Sequence, residues 1–354
     1  ILAQDCAVAR RPPDFSLMIR WCTLRVLGDA SLASSRDFYS KVMGMQEEDL
    51  TSEGSSARFR YKFASSAHSA GVELITSSVG GPDAAGAPEV VSKPYASARE
   101  DLYWKIGLGL ADVNATAAAV TETKMIGEVP PGSQFEDIGF VKHMADPQGF
   151  AIELLQTTFE GSTSKRAEEQ ELFGVGKEHP LGQRVQPVVG QITLRIQDPE
   201  RSLAFYQQKL GMKLISVQPV DKYGFTLYFL AFGGYEQLVD ERTGSPRAIP
   251  PPPVTAADSS EPLLKAVENR EWCWQLPFTT LELQHRHSAS EKPLQAPADT
   301  AGFHSLTLAV AEEVIAQHFD GKTVVQDPDG TTVVLEVLPT PASTQEPQAP
   351  EPAA

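Results

Sequence analysis

Short runs in which apolar and polar residues alternate recur along the chain. In Gln191-Ile192-Thr193-Leu194-Arg195-Ile196 the apolar Ile192, Leu194 and Ile196 fall on one face and the polar Gln191, Thr193 and Arg195 on the other, the period of a half-buried strand. The segment that follows, Arg195 to Met212 (RIQDPERSLAFYQQKLGM), matches Arg25 to Met45 (RVLGDASLASSRDFYSKVMGM), which is three residues longer and is preceded by its own short run, Trp21 to Arg25. Both read as a strand, a helix carrying a Phe-Tyr pair, and Gly-Met at the helix end. Phe38-Tyr39 and Phe205-Tyr206 are therefore predicted to be helix core.

A second pair of repeats follows. Lys105 to Val113 (KIGLGLADV) and Ser305 to Val310 (SLTLAV) are alternating strands that enter helix-like segments, and each unit closes on a turn and a strand: ADPQGFAIELL at Ala145 to Leu155, and QDPDGTTVVLEV at Gln326 to Val337. The shared D-P-x-G fixes φ at proline and permits positive φ at glycine, which suits a hairpin. The chain thus divides into four related units. Residues 15–159 form a first domain (units 1 and 2), 160–186 a Gly/Ser/Lys/Glu-rich linker, 187–338 a second domain (units 3 and 4), and 339–354 a Pro/Ala-rich tail. Gly244 to Pro262 reads as a loop within unit 3. In unit 4 only Phe319 to Val325 separates His318 from Gln326, so this unit is truncated.

Composition narrows the class. The 354 residues are 41% hydrophobic and 21% charged, and 46 acidic against 30 basic side chains give a net charge of −16. This is a globular composition of two-domain length, and its net field opposes nucleic acid and anionic lipid. The apolar runs, such as Leu227 to Phe232, are strand-sized rather than the ~20 residues of a membrane span. Cys6, Cys22 and Cys273 are odd in number and widely spaced, which gives neither a disulfide framework nor a metal knuckle and points to a soluble protein in a reducing compartment. A first residue that is not Met leaves room for a removed import signal, and an organelle, plastid or mitochondrion, is one expectation. The tail cannot build a core and is expected to lean, with surface loops, on a larger protein assembly.

With the repeats in place, the chain resembles glyoxalase I (lactoylglutathione lyase) of the vicinal-oxygen-chelate superfamily. The resemblance is carried most specifically by QITLRIQDPERSLAFYQQKLGMKL, FTLYFLAF and TTLELQH between Gln191 and His285. It implies an α+β fold of four βαβββ modules paired into two domains with curved mixed sheets. It also implies that module 2 pairs with module 3 and module 1 with module 4. The family isomerises the methylglyoxal–glutathione hemithioacetal on zinc or nickel, held by Gln, Glu, His and Glu, and one carboxylate acts as the base.

Carried over by position, the module 2/3 site has Gln191, Glu282 and Glu153 as metal ligands, with Glu153 as base, and strand parity turns all three inward. The histidine position is Lys105, whose ammonium offers a positive charge where a lone pair is needed. Glu153 and Glu282 are therefore either ligands or partners of Lys105, and Gln191 either a ligand or a hydrogen-bonded cavity residue. Arg195 matches the arginine that holds the γ-glutamyl group of the glutathione adduct, or else makes a structural pair. Asp101 falls where a second arginine is usual, and Arg286 at an amide position is able to compensate. The module 1/4 site is more degraded: Glu73 is retained, Trp21 replaces the Gln, Ser305 the His and Val334 the last Glu. Parity puts His304 on the opposite face unless a bulge intervenes, and Glu336 lies ~6.6 Å too far along its strand. His285 and His287 read as a wet strand end rather than a metal pair.

Three functions remain: a catalytically degenerate glyoxalase-like pseudoenzyme serving as a binding or structural complex subunit, with no metal cofactor; an active lyase using zinc or nickel; and a metal-free binder of a small ligand.

Overall fold

The computed structural model describes residues 17–48, 56–61, 69–77, 95–110, 112–135, 139–156, 187–232, 273–274, 276, 278–288, 294–295 and 301–338. The linker 160–186, the loop 244–262 and the tail 339–354 lie outside them. Module 1 contains β1 (Met18–Leu27), α1 (Gly28–Asp37), β2 (Gln46–Glu48), β3 (Ser56–Arg60) and β4 (Gly71–Ser77). Module 2 contains β5 (Tyr103–Leu110), α2 (Val113–Glu122), β6 (Ser133–Phe135), β7 (Gly139–Ala145) and β8 (Ala151–Gln156). Module 3 contains β9 (Val188–Ile196), α3 (Pro199–Ala204), β10 (Met212–Val220), β11 (Phe225–Phe232) and β12 (Thr280–Arg286). Module 4 has β13 (Gly302–Val310), α4 (Glu312–Phe319), β14 (Val324–Gln326) and β15 (Thr332–Val337), and is one strand shorter than the others.

Local chemistry starts the helices. Asp112 and Asp198 cap α2 and α3, their side chains accepting from the backbone N–H of Ala115 and Arg201, and Pro199 occupies the first turn of α3. The Phe-Tyr pairs continue α1 and α3 as single π-helical turns, Phe38–Val42 and Phe205–Lys209, with all four rings buried.

The strands form two mixed sheets, a seven-stranded one in the order β14-β15-β13-β1-β4-β3-β2 and an eight-stranded one in the order β10-β11-β12-β9-β5-β8-β7-β6. Modules 1 and 4 build the first and modules 2 and 3 the second, as the family resemblance implied. The sequence halves 15–159 and 187–338 therefore do not coincide with the sheets. Each seam is antiparallel, β1 on β13 and β5 on β9, so that the opening strands of two modules lie side by side. One continuous apolar cluster runs through both sheets, with Leu24 and Leu306 from one and Ile106, Leu154 and Ile192 from the other. A second cluster lines the inside of the eight-stranded sheet, from Leu155 and Phe229 to Trp274.

Both D-P-x-G turns close on glycine in the left-handed region, Gly149 at φ 94° and Gly330 at φ 92°. At Gly149 a Cβ would fall 1.8 Å from the carbonyl oxygen of Tyr95, so no larger residue fits.

Candidate functional site

The eight-stranded sheet curls until elements at its two edges touch. Phe135 of edge strand β6 meets Tyr223, in the turn after edge strand β10, at 5.0 Å between ring centroids. The cavity inside the curl is about 420 Å³ and open to solvent on one side. Its floor is polar and its walls are apolar, from Phe135, Val141 and Leu155 on one side to Phe225, Leu227, Phe229 and Trp274 on the other.

Four adjacent strands, β12, β9, β5 and β8, set the floor in two cross-sheet rows. Glu282, Thr193 and Lys105 lie side by side in one, and Gln191, Gly107 and Glu153 in the next. Gln191, Glu153, Glu282 and Lys105, placed inward by alternation, are all buried and all line this cavity. Lys105 Nζ is 2.6 Å from Glu153 Oε1 and 3.9 Å from Glu282 Oε1, with side-chain exposures of 5%, 7% and 1% for Lys105, Glu153 and Glu282. Gln191 Nε2 donates to the second Glu153 oxygen at 2.5 Å, and Thr193 Oγ1 donates to Glu282 Oε2 at 3.0 Å. Gly107 makes room for the amide, since a Cβ there would lie 2.2 Å from Gln191 Cγ.

The two carboxyls are driven apart. Burial acts to raise both, but Lys105 and His143 together hold Glu153 below the usual carboxylate range. Glu282 is raised, by burial first; Glu153 adds to this, while Lys105 and the Thr193 hydroxyl oppose it. The floor therefore sets the Lys105–Glu153 ion pair beside a second carboxyl, Glu282, whose proton affinity burial raises.

Alternation alone does not find the rest of the lining. The β5–β9 register slips between Tyr103, opposite Leu194, and Lys105, opposite Thr193. Trp104 is the extra residue of that bulge and joins its neighbour Lys105 on the cavity, its ring 4.3 Å from Lys105 Nζ. His143 of β7 lies beside Glu153, with Nε2 at 3.1 Å from Oε1, and stacks on Trp104 at 6.1 Å. The near-continuous apolar run of β11 conceals a second face, Phe225, Leu227 and Phe229, that lines the cavity rather than the main core.

Arg195 sits one strand position beyond the floor, and its Nη1 donates to the backbone carbonyls of Ala98, Asp101 and Tyr103 at 2.8 to 2.9 Å. Burial, and then Arg286, lower it to about 10. It pins residues 97–103 to β9. Asp101 is engaged with the Tyr95 hydroxyl and the Ala98 N–H, each at 2.7 Å. Arg286 lies half-buried at the end of β12.

The corresponding face of the seven-stranded sheet is filled. Glu73 repeats the Glu282 arrangement, accepting from Thr23 Oγ1 at 2.7 Å, but its other oxygen pairs with Arg58 at 2.7 Å. The Trp21 ring is covered by Arg58 and Arg60 at 4.8 and 4.4 Å. Ser305 lies opposite Thr23, and Val334 opposite Thr307. His304 departs from simple parity: Thr23 faces Ser305 while Leu24 faces Phe303, so His304 is the bulged residue, equivalent to Trp104. Glu336, half-exposed, lies 4.0 Å from Arg20. His287 bonds Thr226 at 2.8 Å. Among the described residues no group of three or more His, Cys, Asp or Glu side chains is placed to hold a metal ion, and no helix is long and apolar enough to cross a membrane.

Comparison with known proteins fits this architecture. The sequence pattern of the Glyoxalase/Bleomycin resistance protein/Dioxygenase superfamily matches residues 20–154 and 188–335. Glyoxalase I of Saccharomyces cerevisiae is 32% identical over 130 residues, 36% of this chain and 34% of that protein. Lactoylglutathione lyase of Pseudomonas aeruginosa is 43% identical over 58 residues, 16% of this chain and 33% of that protein. The matches span about a third of either relative. The crystal structure of glyoxalase I from Zea mays superposes with a TM-score of 0.53 at 16% identity, covering 90% of this chain and 92% of that one, a likeness of fold.

Proposed function

The chain belongs to the Glyoxalase/Bleomycin resistance protein/Dioxygenase superfamily, and from that premise we propose that it is a catalytically degenerate, glyoxalase I-like protein whose module 2/3 cavity binds a small molecule without a metal ion. One observation carries the reading: the Lys105 ammonium lies 2.6 Å from Glu153 and 3.9 Å from Glu282, in the space between the carboxylates. Zinc or nickel among Gln191, Glu153 and Glu282 would need that space and those lone pairs, and would sit against a positive charge. The residues present do not fit the ion, so no proton transfer on a metal-bound adduct is assigned to Glu153. Arg195 spends its Nη1 on backbone carbonyls, which weighs against a γ-glutamyl contact through that nitrogen. The role in a larger assembly rests on residues 339–354 and gains no support from the described structure.

Metal content and turnover test this. After incubation with zinc or nickel and desalting, the purified chain should retain less than stoichiometric metal and give no lactoylglutathione from methylglyoxal and glutathione. Lys105→His should gain metal affinity, because the other three positions already converge. One tightly held ion per wild-type chain, lost on Glu282→Ala and accompanied by turnover, would establish the lyase instead.

A further inference from the structure

One of the two carboxyls on the floor of the cavity has a buried oxygen without a hydrogen-bond partner. Glu153 is engaged at both oxygens: Oε1 takes Lys105 and His143, and Oε2 takes Gln191. Glu282 is not. Its Oε2 accepts from Thr193, while Oε1 is buried without a hydrogen-bond partner, and Lys105 Nζ at 3.9 Å is beyond bonding range. A second buried acceptor, Gln218 Oε1, also lacks a partner and lines the same cavity. Gln218 lies on β10, two strands from β12 and so about 10 Å across the sheet. Such atoms lose their water on burial and gain when a donor is supplied.

We propose that the cavity takes an uncharged, mainly apolar molecule of one or two fused rings, bearing a hydroxyl or N–H group that donates to Glu282 Oε1. This rests on the metal-free reading above and adds the ligand's class. The walls supply Phe225, Leu227, Phe229 and Trp274 for ring packing, and Phe135 and Tyr223, in ring contact with each other, add two more to the lining. The volume, about 420 Å³, suits a compact ring system. A carboxylate ligand would face Glu153 and Glu282, and Lys105 is already paired with Glu153. A cationic ligand would meet Lys105 itself. A hydrocarbon without a donor would leave Glu282 Oε1 unpaired.

The test uses the full chain in EDTA with three probes of one shape: 2-naphthol, naphthalene and 2-naphthoate, titrated by fluorescence. The expected order has 2-naphthol at least ten-fold tighter than either of the others. Glu282→Leu should bring 2-naphthol down to the naphthalene level, and Leu227→Trp, which fills the cavity away from the floor, should abolish binding of all three. Equal affinities, tightest binding of 2-naphthoate, no binding of any probe, or a preference that survives Glu282→Leu would each overturn the inference. Should Glu282→Leu not fold, the wild-type order and the loss in Leu227→Trp still decide. Failure of the underlying reading looks different: 2-naphthol binding that appears only when zinc replaces EDTA.

Discussion

The hydroxyl of Tyr39 donates to Oδ2 of Asp146 at 3.1 Å, across 107 residues of sequence. The same bond recurs in the second half, Tyr206 to Asp327 at 2.9 Å. Each aspartate is the first residue of a D-P-x-G turn, and its other oxygen accepts two backbone N–H groups of that turn, from Gln148 and Phe150 or from Asp329 and Thr331. Modules 1 and 2 share no sheet, nor do modules 3 and 4, so these bonds tie the two sheets together through a helix of one and a turn of the other. Tyr39→Phe and Tyr206→Phe should each cost about 1–3 kcal/mol by leaving a buried carboxyl oxygen unpaired. Urea unfolding checks this; a loss within a few tenths of a kcal/mol would show that water replaces the hydroxyl.

These turns also carry a pH dependence of unusual sign for an acid. Burial raises Asp146 from its ordinary 3.8 to about 6, against the opposing hydrogen bonds of Phe150 and Tyr39. A folded-state value above the unfolded one means that the native state binds the proton more tightly. The contribution is then complete below the unfolded value and is lost as pH rises through about 6. Asp146→Asn, which keeps a carbonyl acceptor and does not titrate, should flatten the fall in stability between pH 4 and pH 7, followed by thermal unfolding across that range. An unchanged slope would assign it to other groups.

At the floor the sign reverses for Glu153. Its proton affinity is held down in the fold, so its contribution is present above the ordinary carboxylate range and lost in acid. Lys105→Met removes the cation and leaves two buried carboxyls, and should cost about 3–5 kcal/mol at neutral pH. Adding Glu153→Gln should recover part of that loss. A double-mutant cycle with no coupling between the two positions would contradict the ion pair.

In the seven-stranded sheet Trp21 takes the volume that a ligand cavity would need. A Cβ on Gly71 would sit 2.2 Å from its ring and 2.6 Å from the Phe59 carbonyl oxygen. Gly71→Ala is expected to destabilise strongly, and Trp21→Ala by about 3–5 kcal/mol through the cavity it leaves. Because the alanine methyl also meets the Phe59 backbone, Trp21→Ala should relieve Gly71→Ala only in part. Full additivity in chemical denaturation would show that the ring and the methyl do not compete.

Arg195 gives a prediction that separates anchoring from ligand binding. Its guanidinium holds three backbone carbonyls in residues 98–103, so Arg195→Met should speed amide hydrogen exchange in residues 95–103 while β11 and β12 keep their protection. Unchanged exchange there would return the arginine to a ligand-facing role.

Much of this was written locally. Alternation has a period of two wherever a strand forms, so Gln191, Glu153, Glu282 and Lys105 could be turned inward from their neighbours alone, and the D-P-x-G turns and Phe-Tyr helices could be found by repetition. The cationic substitution at Lys105 was equally plain. The chain alone did not reveal where that period breaks. Trp104 and His304 occupy bulges that exist only because β5 and β1 are matched to particular partners, β9 and β13, with one residue out of step. The partners of the Tyr39 and Tyr206 hydroxyls, the space kept by Gly107 and Gly71, and the meeting of Phe135 with Tyr223 at the cavity mouth are likewise distances between segments remote in sequence. Side-chain parity is a property of one strand and survives translation into structure; register, volume and closure belong to pairs of strands, and only packing of the whole chain fixes them.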